Sequence, residues 1–196
     1  MDDIKSAHDI AMEKVAEIGD ATEEERLRWK YVPEGEKLAA RYLKTDCNLA
    51  SEIGHYDAKV RKYVTAGAVD IIIRTINLPK NDKAKRNNKR AMEGIKALRS
   101  DKAGVENIYS GIRRIFNHYV EQGEQQRKQA YQSLKTEFET KAQQAIQQQM
   151  GSMMGAKIDV EKLPQFHEEW RRLQTQLDSQ YLKLLGEYKQ EIVAIT

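Results

Sequence analysis

The sequence predicts an all-α protein: an elongated antiparallel bundle of three long helices, with a shorter N-terminal helix and a basic helical hairpin. Three observations carry that prediction. Apolar residues recur at steps of three and four over most of the 196 residues, the spacing that lines up one face of a helix. Only three prolines interrupt the chain and 32% of it is charged, which suits long solvated helices better than sheet. The single β-branched run, Val69 to Ile76, has no second strand-like run to pair with, and a lone strand is not stable.

Taken in order, Ile4, Ala7, Ala11, Val15 and Ile18 form a first stripe that begins behind Asp2 and Asp3 and ends at Gly19. The two aspartates suit the positive end of a helix dipole, and glycine suits its C-terminus. Thr22 followed by Glu25 has capping-box spacing, so a short helical segment, or a bent continuation, is expected to carry Leu27 and Trp29 until Pro33 stops it. Pro33 then opens a second long helix, striped by Leu38, Tyr42, Leu49, Ile53, Tyr56, Val60 and Val64, that is expected to reach about Asn77. Past Gly67, Val69, Ile72, Ile73 and Ile76 turn to nearly the opposite face, so the helix either kinks at the glycine or ends buried all round.

Leu78 to Asp82 reads as a turn, with Asn81 or Asp82 capping a helix through Ala84, Ala91, Ile95 and Leu98. Whether 82–149 is one continuous helix or breaks near Ser100 and Asp101 stays open, because the stripe keeps phase across them. The organising element runs from Val105 to Met150, striped by Ile108, Ile112, Phe116, Tyr119, Ala130 and Leu134. Such a helix is roughly 70 Å long at about 1.5 Å per residue, so the chain is expected to be one rod-like domain over residues 1–196. Its glutamine-rich part, 122–149, keeps the helical period, and the stripe thins at Gly123, where backbone can approach closely or bend. Met150 to Gly155 is expected to turn, and Asp159 or Pro164 to start the last helix. There Phe166, Trp170, Leu173, Leu177, Tyr181, Leu184, Tyr188, Ile192 and Ile195 step at close to 3.6 residues per turn, giving coiled-coil-like packing with little supercoil. Leu182, Leu185 and Val193 widen this face, and a wide face needs more than one neighbour.

The chemistry is sparse. Cys47 is alone, so neither a disulfide framework nor a thiolate metal cluster is available, and a reducing cytoplasm is the expected location. No basic region followed by an apolar run opens the chain and no stretch of about 18 apolar residues occurs, so neither secretion nor a membrane span is expected. Glu52 and His55 have the Glu-x-x-His spacing of di-iron bundles, but that site needs a second such pair, and His118 and Glu121 run in the reverse order. Glu52 and His55 are expected to flank the core residue Ile53 and face water. Met150, Met153 and Met154 are more readily a helix-end plug than a copper(I) site. Without a phosphate-binding glycine loop or nucleophile elbow, no enzyme, cofactor, metal or small-molecule substrate is expected.

One polar feature stands out. Residues 1–25 are acidic, whereas Lys80 to Lys102 holds nine basic residues against three acidic ones, a net charge near +6. Its candidate polyanion-binding residues are Lys83, Lys85, Arg86, Lys89, Arg90, Lys96 and Arg99. The same charges also fit a solvated face, or docking on Asp2, Asp3, Asp9, Glu13 and Glu17. The function expected first is a helical scaffold that offers its striped faces to itself or to a helical partner. Nonspecific nucleic-acid binding by segment 80–102 comes second, and a ferritin-like metal bundle third.

Overall fold

The computed structural model describes residues 21–45, 47–150 and 159–195, with the side chains of 148–150 excepted. Among these are six α-helices and no strand: α1 Glu23–Lys44, α2 Leu49–Gly54, α3 Ala58–Thr75, α4 Asp82–Leu98, α5 Lys102–Met150 and α6 Pro164–Ala194. A 3₁₀ turn, Val160–Lys162, precedes α6. The expected first helix and the turn at Gly151–Gly155 lie outside the described residues. No helix among the described residues is long and apolar enough to cross a membrane. The chain divides into two compact units, one running up to Thr75 and adding Arg90–Leu98, the other comprising Ile76–Lys89 and everything from Arg99 onward.

The first unit opens on the expected capping box. The Thr22 hydroxyl accepts from the Glu25 amide at 3.2 Å, and the Glu25 carboxylate accepts from the Thr22 amide at 2.8 Å. The expected stop at Pro33 does not occur, because α1 runs through it to Lys44. Proline removes the amide that would bond the Trp29 carbonyl. Pro33 and Trp29 both lie on the exposed side of the helix, where water can take that carbonyl, so the helix continues.

The expected long helix from Pro33 to Asn77 is instead three pieces. Thr45 donates its hydroxyl back to the Arg41 carbonyl at 2.9 Å, and Asn48 accepts from the Ser51 amide at 3.1 Å. Side chains that bond their own backbone in this way compete with helix continuation. Arg61 then closes the end of α2 by donating to the carbonyls of Gly54 and Tyr56 at 3.1 and 3.0 Å. The β-branched run is helical, as expected, and α3 passes through Gly67 with Val64, Ala68, Val69, Ile72 and Ile73 buried. The end of α3 thus has a broad buried face, with Asp70 and Arg74 paired on the exposed side.

Two glycines set the approach of α1 to α3. A Cβ on Gly35 would lie 1.9 Å from the Val64 carbonyl oxygen, and one on Gly67 would lie 2.1 Å from that of Val32. Both obstacles are backbone, which no rotamer change relieves.

In the second unit, the long helix is confirmed as 49 residues, and the chain does break before it. Asp101 accepts from the Gly104 amide at 2.8 Å and starts α5. Asn81 caps α4 through the Ala84 amide at 2.9 Å. Buried Asn88 pairs with both backbone groups of Asn77, accepting from its amide at 2.9 Å and donating to its carbonyl at 2.6 Å, which fastens the turn to the helix. Pro164 occupies the first turn of α6 after Asp159 has opened the 3₁₀ turn, so both expected start signals are used.

Helices α5 and α6 run antiparallel, as the residue pairs Gly104 with Ile195, Gly111 with Tyr188 and His118 with Tyr181 show. Farther along, Tyr131 meets Phe166 and Trp170 edge-on. The buried line of α6 departs from the expected stripe. Leu185 is buried while Leu184 is 46% exposed, and Asp178 is buried where Leu177 was expected. The buried residues Asp178, Leu185 and Ile192 repeat every seven positions, as do Val105, Ile112 and Tyr119 on α5.

Gly35→Ala and Gly67→Ala should each destabilise by about 2 kcal/mol or more in chemical denaturation, because overpacking falls on backbone. Gly54→Ala, with nothing within 4 Å of its Cβ, should be neutral or stabilise by up to about 1 kcal/mol.

Candidate functional site

Two cavities flank the α5–α6 seam of the second unit. The first is a groove of about 690 Å³ whose lining includes Gly111, Ile115, His118, Leu177, Tyr181 and Leu184. Its shape follows from glycine. A Cβ on Gly111 would lie 2.5 Å from the Tyr188 ring, so that ring lies flush against α5 only because the side chain is missing. Gly123 is approached less closely, by the Arg127 guanidinium at 3.0 Å and the Tyr181 hydroxyl at 3.2 Å from its would-be Cβ. The hydroxyl of Tyr181 hydrogen-bonds Nδ1 of His118 at 2.9 Å, and its ring meets Tyr119 edge-on at 5.1 Å. Along the same helix Leu182 and Leu184 are each 46% exposed and Val193 is 52% exposed, while Gly186 has open space over it. The apolar positions of α6 thus exceed what α5 covers.

The second cavity, about 610 Å³, is polar; its lining includes Lys80, Lys85, Tyr119, Arg127, Gln174 and Asp178. Asp178 is only 4% exposed. Its Oδ2 lies 2.6 Å from the Lys80 ammonium, and its Oδ1 has no hydrogen-bond partner among the described residues. A buried acceptor left unpaired costs on the order of 1–3 kcal/mol. The Tyr119 hydroxyl pKa is pushed up to about 12, first by burial and then by the Asp178 charge. It therefore stays a donor at neutral pH. The Arg127 guanidinium lies 4.2 Å from the centre of the Tyr119 ring and donates to the Tyr119 carbonyl at 3.2 Å.

The seven sequence-selected basic residues do not form one equivalent set. Lys83, Lys85, Arg86 and Lys89 are exposed on α4, with Lys85 bridged to Asp82 at 3.2 Å. Lys96 is half-buried. Arg90 serves the first unit internally: its Nε donates to the Tyr42 carbonyl at 2.7 Å, its terminal nitrogen donates to Thr45, and its guanidinium lies over the Tyr42 ring. Arg99 does the same in the second unit, donating to the carbonyls of Ile192 and Val193 at 3.1 and 3.3 Å near the end of α6. Burial pushes its guanidinium below the usual arginine value, which an arginine still charged at neutral pH tolerates.

Glu52 is bridged to Arg41 at 2.7 Å, His55 is exposed and Cys47 is half-buried. No group of three or more histidine, cysteine or carboxylate side chains that could hold a metal occurs among the described residues. Sequence reasoning missed Asp178 and Arg127. The seven-residue step from Asp178 to Leu185 to Ile192 was the available signal for the first; none in the local sequence marks the second.

Arg90→Gln should lower the stability of the first unit by about 1–2 kcal/mol, since the part-buried Tyr42 carbonyl and the Thr45 carbonyl lose charge-assisted donors. Lys89→Gln, one residue earlier, should stay within about 0.5 kcal/mol. Differential unfolding by urea distinguishes them.

No curated protein and no solved structure matches the chain. A family model matches residues 50–194, from α2 to the end of α6, and the chain belongs to that family of unknown function, DUF6657.

Proposed function

We propose that this chain is a non-enzymatic helical interaction protein of the cytoplasm, which uses the α5–α6 hairpin to associate with a second copy or with another helical protein. The observation that supports it is the exposure of Leu182, Leu184 and Val193 on a helix already packed on one side. Single exposed leucines are ordinary, but Leu184 lies in the groove with Leu177, Tyr181 and Tyr188 at steps of three and four, while Leu182 and Val193, eleven residues apart, share the other flank of α6, so both flanks offer apolar surface to a second helix. A second reading, nonspecific nucleic-acid binding, is supported by exposed Lys83, Lys85, Arg86 and Lys89. Its affinity would fall steeply with salt as phosphates release counterions.

The combined change Leu182→Glu, Leu184→Glu and Val193→Glu tests the first reading. Helicity and melting temperature should stay close to those of the parent, because these side chains are exposed. Self-association in sedimentation equilibrium, or capture of a helical partner, should be lost. A parent chain that neither self-associates nor holds a partner contradicts the reading. So does a triple variant that keeps either.

A further inference from the structure

We propose that the cavity at Lys80, Lys85 and Arg127 binds the phosphate group of a small phosphorylated molecule, with Asp178 and Tyr119 as positioning residues for its cations. Three basic side chains from different stretches of the second unit line this one space: the turn before α4, the first turn of α4, and the middle of α5. Their donors are not exhausted. Arg127 uses one N–H on the Tyr119 carbonyl, and among the described residues its others have no hydrogen-bond partner. Lys80 makes one ion pair, at 2.6 Å, and keeps two of its three ammonium hydrogens.

What separates this from a solvated basic patch is the acid beneath it. A carboxylate in the buried seam between two helices is a poor choice for stability, since desolvation offsets much of the gain from its partner. Asp178 nevertheless lies there, with Oδ1 unpaired among the described residues. Its position links the whole cluster. It holds the Lys80 ammonium at the cavity and shares the lining with Tyr119, whose ring carries Arg127 at 4.2 Å. Glu124, also on the lining, is drawn off by Lys128 at 2.8 Å.

Lys80 is shared with Asp178 and Lys85 with Asp82, so Arg127 carries the least compensated charge, and its guanidinium fork matches phosphate geometry. The cavity, about 610 Å³, falls in the range of small-molecule sites and is much larger than a bare phosphate. Gln174, Val120 and Pro79 are left to meet the rest of the ligand. The site shares no lining residue with the groove along Leu177 and Leu184, so it stands or falls independently of the helical-partner reading.

The test titrates the full chain with inorganic pyrophosphate and with ribose 5-phosphate, by calorimetry and by amide NMR shifts, against sodium chloride of matched ionic strength. Saturable binding below about 10 mM is expected, with shifts centred on Tyr119, Arg127 and Gln174. Arg127→Gln and Lys80→Gln should each weaken it by about tenfold, and both should fold, being on an exposed or half-exposed surface. Glu124→Gln should tighten it by removing a nearby negative charge. Asp178→Asn should weaken binding while the melting temperature holds or rises, as removal of a buried charge allows. Absence of saturable binding, binding indifferent to Arg127→Gln, or tighter binding of mixed-sequence RNA through the same residues overturns the proposal. Unchanged affinity in a folded Asp178→Asn variant removes the positioning role.

Discussion

The second unit depends on one steric device: tyrosine rings from α6 seated on glycines of α5. Gly111 under Tyr188 and Gly123 under Tyr181 fix how far apart the helices lie and which turns face each other. A one-residue slip would bring a side chain under each ring, so the register is set by backbone contact as much as by apolar burial. The same logic operates separately in the first unit, where Gly35 and Gly67 let α1 and α3 meet backbone to backbone. In both cases glycine lowers helix propensity by about 1 kcal/mol, which close packing must offset.

That register explains where the polar groups fall. With Leu185 and Ile192 on the seam, the position seven residues before Leu185 is also on it, and that position is Asp178. The buried carboxylate then holds Lys80, and Tyr119 on the same cavity lining supports Arg127. Leu184 is left outward on one flank of the seam, and Leu182 and Val193 on the other. A polar pocket and an apolar surface are thus two consequences of one helix orientation.

Much of this was legible in the sequence, and the exceptions share a cause. The caps at Thr22 and Asn81, the long helix from about Val105 and the proline start of α6 are local signals, read from residues within a turn of each other, whereas the break at Asp101 stayed open because the stripe keeps phase across it. Pro33 was misread because its effect depends on which side faces water, a property of tertiary packing. The break at Thr45–Asn48 was hidden by a stripe that keeps phase across it. In α6, steps of three and four fit both a 3.6-residue and a 3.5-residue period, so the choice between Leu184 and Leu185 rested on the partner helix. Arg90 and Arg99 looked like the other basic residues of their segment, because the carbonyls they serve are distant in sequence: 48 and 45 residues away for Arg90, 93 and 94 for Arg99.

The register of α5 on α6 is the claim on which the groove, the buried acid and the outward leucines all rest. Nuclear Overhauser contacts on the isotope-labelled full chain measure it directly. The Tyr188 ring should show contacts to the Gly111 α-protons and the Tyr181 ring to Gly123, with Leu185 methyls, not Leu184 methyls, reaching the interior of α5. Contacts of Tyr188 to another turn of α5, or of Leu184 to its buried line, would contradict the account.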